Sequence, residues 1–414
     1  MANNSPKIGF SYFASPEYYL DRPLNTWLSA LHRWGCSLLI LAGDFDLAIP
    51  EDVFMRAQEH GLDPVVHFKT VLPTARSLND AALLLDVYKK WGVSYVILGD
   101  QPNIKQEWSI AKWHYETLVD NYLDRFIPLA NHAVRIGLNV VMAPMQPGGD
   151  FWDCAFLELI LSGLKRRKVD EILKSLVLSS YGYTYNKPLT WGEGGPERWP
   201  GSKPYYTPAG QEDQMGFNNF EWVQAASQRI LGDRLPVIIL DAGSPGPVLD
   251  TSGSESLEET VMQIVEGCRN SVQNGLNFDE LVYACTFNLE TLQALMGEGF
   301  SIENLAPVFR SGNLIDDKSV LIEQGQKHLS HYLLLPSYSS GVSDVVLNKV
   351  RPLIKKFQPT VGFSLDEAAC ASKVTIYPDP ILFKDEHINA LRRAGCKVEI
   401  LPESGIEIAT YLQG

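Results

Sequence analysis

Ser94-Tyr-Val-Ile-Leu-Gly-Asp-Gln-Pro-Asn103 is the stretch on which the reading of this chain turns. Tyr95 to Leu98 is a run of β-formers too short for a helix. It lies between a helical pattern that ends at Trp91-Gly92 and the polar cluster Gly99-Asp100-Gln101-Pro102-Asn103. A short apolar run that stops at glycine and passes into polar residues and proline reads as a buried strand entering a loop. Pro102 removes an N–H and stiffens the turn, so Asp100 and Gln101 stand as a candidate site at a strand's C-terminal end.

Outward from that stretch the same unit repeats. Strands are predicted at Lys7–Phe13, Ser37–Leu41, Pro64–Phe68, Tyr95–Leu98, Asn139–Ala143, Ile172–Ser179, Val237–Leu240 and Glu280–Cys285. Helices fall between them at Leu24–Trp34, Pro50–His60, Leu78–Trp91, about Tyr115 to Ile136, Phe156–Leu164, Trp222–Leu231 and Leu257–Ser271, with a last one between about Asp316 and Leu329. Pro50 at the start, acids in the first turn and Gly61 after the end mark the second helix particularly clearly. Eight strand–helix units in about 320 residues is the count of a closed parallel (β/α)8 TIM barrel. A doubly wound open sheet is the alternative, because periodicity does not report closure.

From residue 328 the alternation restarts on a smaller scale. Strands are predicted at Tyr332–Leu335, Thr360–Phe363, Val374–Tyr377 and Val398–Leu401, and helices at Val345–Phe357, Leu365–Ser372, Glu386–Ala394 and Gly405–Leu412. The expected organisation is a barrel over 1–327 and a small Rossmann-like parallel α/β domain over 328–414. The second part carries neither Gly-x-Gly-x-x-Gly nor a Walker lysine motif. Packing against the barrel or a partner is the simpler role for it.

A net charge of −14 in 414 residues disfavours contact with a phosphate backbone, and the one basic run, Lys165-Arg166-Arg167-Lys168, reads as a solvated helix end. Nucleic acid is therefore not an expected partner. Neither is a membrane, since no apolar run has spanning length. The first residues, Met1-Ala-Asn-Asn-Ser-Pro6, lack the basic start and apolar core of a signal peptide. Six scattered cysteines without Cys-x-x-Cys spacing read as reduced thiols of a cytoplasmic protein. Histidine spacing suggests no metal, and no cofactor is expected.

Chemistry in such a barrel is built from the C-terminal strand ends. Those ends collect Asp44, Asp46, His67, Asp100, Gln101, Gln146, Ser179 to Tyr183, Asp241 and Asn288. Bland roles are open to the two strongest candidates: Asp100 capping its loop, and Asp241 bonding to the Ala242-Gly243 turn. The segment from Tyr181 to Phe220 is too long for an ordinary connection and rich in aromatics, including Tyr181, Tyr183, Trp191, Trp199, Tyr205 and Tyr206. Aromatic faces stack on sugars, so these rings, with Trp108 and His67, are candidate substrate contacts; packing the loop onto the barrel is the other reading.

Gly99-Asp-Gln-Pro-Asn103 resembles the Gly-Asn-Glu-Pro-Asn motif at the fourth strand of the clan A glycoside hydrolases. Pro236-Val-Ile-Ile-Leu-Asp-Ala-Gly243 is similar to the clan's segment ending Thr-Glu-x-Gly, and Ser179-Ser-Tyr181 to its His-x-Tyr. The resemblance implies that Gln101 stands where the clan has its acid/base Glu and Asp241 where it has its nucleophile. Gln101 has no proton to transfer, which forfeits about 10²–10⁴-fold. Asp241 is a methylene shorter than Glu, and a misplacement of about 1 Å costs on the order of 10²-fold. The resemblance thus implies a glycoside hydrolase-like protein that binds a saccharide or glycoside at the barrel mouth, with weak, altered or lost O-glycosyl hydrolase activity. Asp100 facing Asp241 would be a different carboxylate pair. Glu107, Glu193 or Glu197 entering from a loop is a further route. The alternative is a non-catalytic scaffold that uses the barrel and the C-terminal domain for partner binding.

Overall fold

The computed structural model describes residues 5–70, 72–73, 77–108, 113, 117–247, 257–269, 276, 278–310, 329–336, 344–363, 365–379, 383 and 385–402. Eight parallel strands form one sheet: β1 Lys7–Ser11, β2 Leu38–Gly43, β3 Asp63–Phe68, β4 Tyr95–Leu98, β5 Asn139–Met142, β6 Leu178–Tyr181, β7 Val237–Leu240 and β8 Val282–Asn288. Each pairs with its sequence neighbour, and β8 returns to β1 in the register Gly9 with Thr286. The last gap is bridged too: Val141 pairs with Val177, and the Val177 N–H donates to the Val140 carbonyl at 3.0 Å. An open sheet would leave β5 and β6 as edges. Their bridging makes this a (β/α)8 barrel and sets the doubly wound alternative aside.

Alternation along the strands divides the core in two. Leu38, Ile40, Val65, Ile97, Val141, Ile238 and Leu240 belong to an inner cluster with Tyr181 and Tyr183. Their neighbours Leu39, Leu41, Val66, Val96, Leu98, Val140 and Ile239 pack outward under the helices. This is the period-2 rule acting on a sheet buried on both faces. At the N-terminal end Lys7 bonds Asp63 and Tyr283, each at 3.1 Å, which leaves the other end for the site. Gly9 shows why a barrel wall needs glycine: a Cβ there would meet Thr286 Cγ2 at 2.8 Å.

Most predicted elements are found within a few residues. The sixth strand is the main correction. Its predicted start, Ile172, lies in a helix, Asp170–Ser175, and β6 begins only at Leu178. Asp170 and Glu171 in the first turn and Lys174 in the last suit the helix dipole, which a short apolar run does not reveal. β8 also runs on to Asn288, three residues past the predicted Cys285. After it come helices Leu289–Met296 and Ile302–Arg310. The helix predicted between Asp316 and Leu329 lies outside the described residues apart from Leu329, which begins a strand, Leu329–Leu334; so do Tyr115 and the predicted helix Gly405–Leu412.

By contacts the chain divides into two compact units, Met1–Gly312 and Asn313–Gly414. The second contains a four-stranded parallel sheet of β9 Leu329–Leu334, β10 Thr360–Gly362, β11 Ala371–Ile376 and β12 Lys397–Ile400, in the order β10-β9-β11-β12. It has its own core, with Tyr332, Leu334, Val374 and Ile376 on one face and Leu333, Leu335, Val350 and Leu353 on the other. None of the six cysteines forms a disulfide. Among the described residues no helix is long and apolar enough to cross a membrane.

Candidate active site

The backbone at the barrel mouth is held in unusual conformations. Gln101 after β4 has φ of 40° and Asp241 after β7 has φ of 49°, both in the left-handed region. Neither is glycine, and such residues cost on the order of 1–3 kcal/mol unless their surroundings enforce them. Here they are enforced. The Gln101 N–H donates to the Pro144 carbonyl at 3.0 Å, and the N–H groups of Ala242 and Gly243 donate to Thr286 and Gly182 at 2.9 and 3.0 Å. Strain held at two strand ends is a reason to look there for function.

Gln101 turns toward β5. Its Nε2 donates to Gln146 Oε1 at 3.0 Å, and Gln146 Nε2 donates to the Tyr185 hydroxyl at 2.9 Å. Asn103 fixes this arrangement, donating to the Gln146 carbonyl and accepting from the Gln146 N–H, both at 2.8 Å. The side chain tied into the mouth from β4 is instead Asp100. The Tyr181 hydroxyl donates to its Oδ1 at 2.5 Å. Tyr181 in turn stacks on Tyr183, centroids 4.6 Å apart, and Tyr185 meets Tyr183 edge-on at 5.9 Å.

Burial pushes the Asp100 carboxyl up to about 6; the charges of Asp241 and Glu107 act in the same direction, while the Tyr181 hydroxyl and the Lys69 charge oppose them. Asp241 is raised too, chiefly by burial, against Lys69 and a hydrogen bond from Asn288 Nδ2 at 3.1 Å. Asn288 is itself pinned, because its Oδ1 caps the helix Leu289–Met296 through the N–H groups of Glu290 and Thr291. Burial and the charges of Asp100 and Asp241 raise the Tyr181 phenol, so it remains a donor. Mutual electrostatic influence therefore joins Asp100, Asp241, Tyr181, Tyr183 and Lys69 in one mouth.

The other sequence candidates are placed less centrally. His67 is 2% exposed, and burial, with the Lys69 charge, lowers its imidazole to about 3. Its neutral Nε2–H donates to the Gly99 carbonyl at 3.2 Å and lies 3.9 Å from Asp100, so it supports the β4 end from beneath. Trp108 donates to the Pro102 carbonyl at 2.8 Å, with the Arg125 guanidinium over its ring at 5.4 Å. Together with Leu72, Asp100 and Glu107 these two line a small cavity of about 20 Å³, room for one water. Trp191 donates to Asp213 at 2.9 Å and Trp199 to the Glu193 carbonyl at 2.8 Å. Both hold the long loop to itself. Its tip is pinned where the Tyr205 hydroxyl donates to the Gly149 and Asp150 carbonyls at 3.1 and 3.0 Å.

Gln146 and Asn288 were collected from the sequence only as strand ends, without a role. Lys69 escaped the sequence reading; its spacing of two from inward-facing His67 was the available signal. Among the described residues no group of three or more His, Cys, Asp or Glu is arranged to hold a metal.

No family model matches the chain, and no curated protein sequence matches it. Among solved structures it is similar to an endo-β-1,3-glucanase of GH128 subgroup I from Amycolatopsis mediterranei in complex with laminaritriose. The identity is 15% over 75% of this chain and 100% of that one, with a TM-score of 0.41. A sugar phosphate isomerase/epimerase from Parabacteroides distasonis ATCC 8503 is 13% identical over 75% and 98%, also at 0.41. A GH5 family lichenase from Caldicellulosiruptor sp. F32 is 12% identical over 68% and 83%, at 0.38. The barrel assignment rests on strand order, register and closure.

Proposed function

We propose that the barrel mouth is a saccharide or glycoside site in which Asp100 and Asp241 form the acid–base carboxylate pair. The observation that carries this reading is the placement of Asp100, fixed at the mouth by the Tyr181 hydroxyl at 2.5 Å and buried so deeply that its carboxyl is pushed up to about 6 even against that hydrogen bond. A carboxyl titrating near neutrality holds a proton to give, as a general acid requires. Asp100 would protonate the leaving glycosidic oxygen as the C–O bond breaks. Asp241, raised by burial but with Lys69 and Asn288 favouring its carboxylate against that rise, would attack the anomeric carbon or take a proton from the attacking water once ionised. Gln101 contributes a hydrogen-bonding amide and no proton. The anomer of the product distinguishes the two courses, since nucleophilic attack needs carboxyls about 5–5.5 Å apart and water activation about 6.5–9.5 Å.

The test is hydrolysis of a panel of aryl glycosides and unactivated oligosaccharides between about pH 4 and about pH 8, a range that brackets the Asp100 titration. Activity that falls above about pH 6 is expected. Asp100→Asn should lose unactivated substrates while sparing aryl glycosides, and Asp241→Asn should lose both. Hydrolysis unchanged in both variants would end this reading.

A second reading has its own support. Tyr181 and Tyr183 are only 4% and 8% exposed, which leaves little ring face for stacking on a sugar. No turnover on the panel, together with no saccharide binding by calorimetry, would favour a non-catalytic scaffold.

A further inference from the structure

Asp153 opens the helix Asp153–Arg166 and is 2% exposed. Its carboxylate is held entirely by neutral donors. The Gly148 N–H and Gln214 Nε2 donate to Oδ1 at 3.3 and 2.9 Å, Asn219 Nδ2 donates to Oδ2 at 3.3 Å, and the Cys154 thiol makes a long contact to Oδ2 at 4.0 Å. A buried charge satisfied this way, at a helix N-terminus, is tolerated only while those donors stay in place. Gln214 shows how firmly it orients them. Fully buried, its amide gives Nε2 to Asp153 and leaves Oε1 without a hydrogen-bond partner. An orphaned buried oxygen is costly, and a charged acceptor on the other side of the amide offsets it.

The three nitrogen donors belong to different parts of the mouth. Gly148 follows Gln146-Pro147, and that segment holds Gln101 and accepts from the Tyr185 hydroxyl at the Pro147 carbonyl. Gln214 ends the aromatic loop. Asn219 reaches β6, where its Oδ1 accepts from Ser180 Oγ at 2.6 Å, beside the Tyr181 that donates to Asp100.

We propose that Asp153 is a positioning residue for the mouth, holding the wall of Gln101 and Gln146 against the wall of Tyr181. It touches no substrate and acts through Gly148 and Asn219. The inference rests on the saccharide-site reading for its consequence in catalysis, while its structural claim stands apart from any substrate.

The experiment compares the full chain with Asp153→Asn, an isostere that sets an NH2 against one of the three donors. Amide hydrogen exchange over residues 146–151 and 214–219 should rise about tenfold, with exchange in the more distant strands β2 and β3 unchanged. The Asp100 titration followed by carboxyl NMR should move. With nitrophenyl β-D-glucopyranoside as the probe, kcat/KM should fall about tenfold. Unaltered exchange in both segments and an unmoved Asp100 titration would overturn the proposal. If Asp153→Asn does not fold, Ser180→Ala cuts only the Asn219 arm. It should shift the Asp100 titration and leave exchange at 146–151 alone; an unmoved titration there also overturns it. Failure of the wild-type chain to bind or turn over the glucoside counts against the saccharide site, whereas exchange and titration decide Asp153 without it.

Discussion

The Tyr181 hydroxyl donates to Asp100 Oδ1 at 2.5 Å, tying the end of β6 to the end of β4 across the barrel mouth. That bond favours the ionised carboxylate and so opposes the burial that raises it. Tyr181→Phe removes the donor and keeps the ring. The Asp100 midpoint should rise further above about 6, by on the order of one unit. Carboxyl NMR or the alkaline limb of a pH–rate profile reads this directly, and a fall would contradict the assigned donor and acceptor.

Lys69 lowers both mouth carboxyls through its charge alone. Lys69→Met should therefore raise the titrations of Asp100 and Asp241 together. Because Lys69 is exposed, raising salt in the native protein should reproduce part of the effect. A variant that moved only one carboxyl would show that the two do not share the same field.

Gln101→Glu tests the amide chain as well as the resemblance. A carboxylate at 101 would face Gln146 Oε1, so Gln146 should flip, donating Nε2 to Glu and accepting from the Tyr185 hydroxyl with Oε1. The flip exchanges one set of hydrogen bonds for another, so stability should change by less than about 1 kcal/mol. A gain in hydrolysis of unactivated glycosides would mark position 101 as able to serve as acid. Loss of several kcal/mol in a denaturant titration would mean Gln146 is locked.

Two buried groups bend the pH dependence of stability in opposite directions. Asp153 titrates near about 6 in the fold, raised by burial, against about 3.9 when unfolded. Between those values the native state holds a proton that the unfolded chain does not. Stability thus falls as pH rises through that window, by up to about 3 kcal/mol, and the loss is complete above it. His67, lowered to about 3 from about 6.5, contributes stability above its unfolded value, and this is lost as pH falls toward its folded one. Chemical denaturation between about pH 4 and 6 should show a more positive slope with pH for Asp153→Asn and a more negative one for His67→Gln. Equal slopes in all three proteins would remove both groups from the account.

His67 has a structural task that can be separated from its titration. His67→Leu leaves the Gly99 carbonyl without its donor and should cost about 1–3 kcal/mol, with His67→Gln recovering part of it. Thermal unfolding of the pair checks this, and equal losses would show that packing, not the hydrogen bond, dominates.

The barrel was legible in the chain itself. Alternating apolar runs and amphipathic stretches, punctuated by glycines such as Gly61 and Gly92, specify strands and helices through local periodicity, and the count of eight pointed to a barrel, whereas closure itself was decided by the bridge between Val141 and Val177. Position at strand ends likewise marked Asp100, Gln101 and Asp241. Local periodicity did not separate the helix Asp170–Ser175 from the strand after it, since a few apolar residues fit either period. What each marked residue faces was decided only in three dimensions. Gln101 bonds Gln146, 45 residues away, while Asp100 takes a proton donor from Tyr181, 81 residues away. Asp153 gains its influence from burial, and Lys69 from a charge that the fold brings near Asp100 and Asp241. Spacing along a sequence encodes which face a side chain occupies; partners, dielectric surroundings and proton affinity belong to the tertiary structure, because they depend on atoms that are distant in the chain.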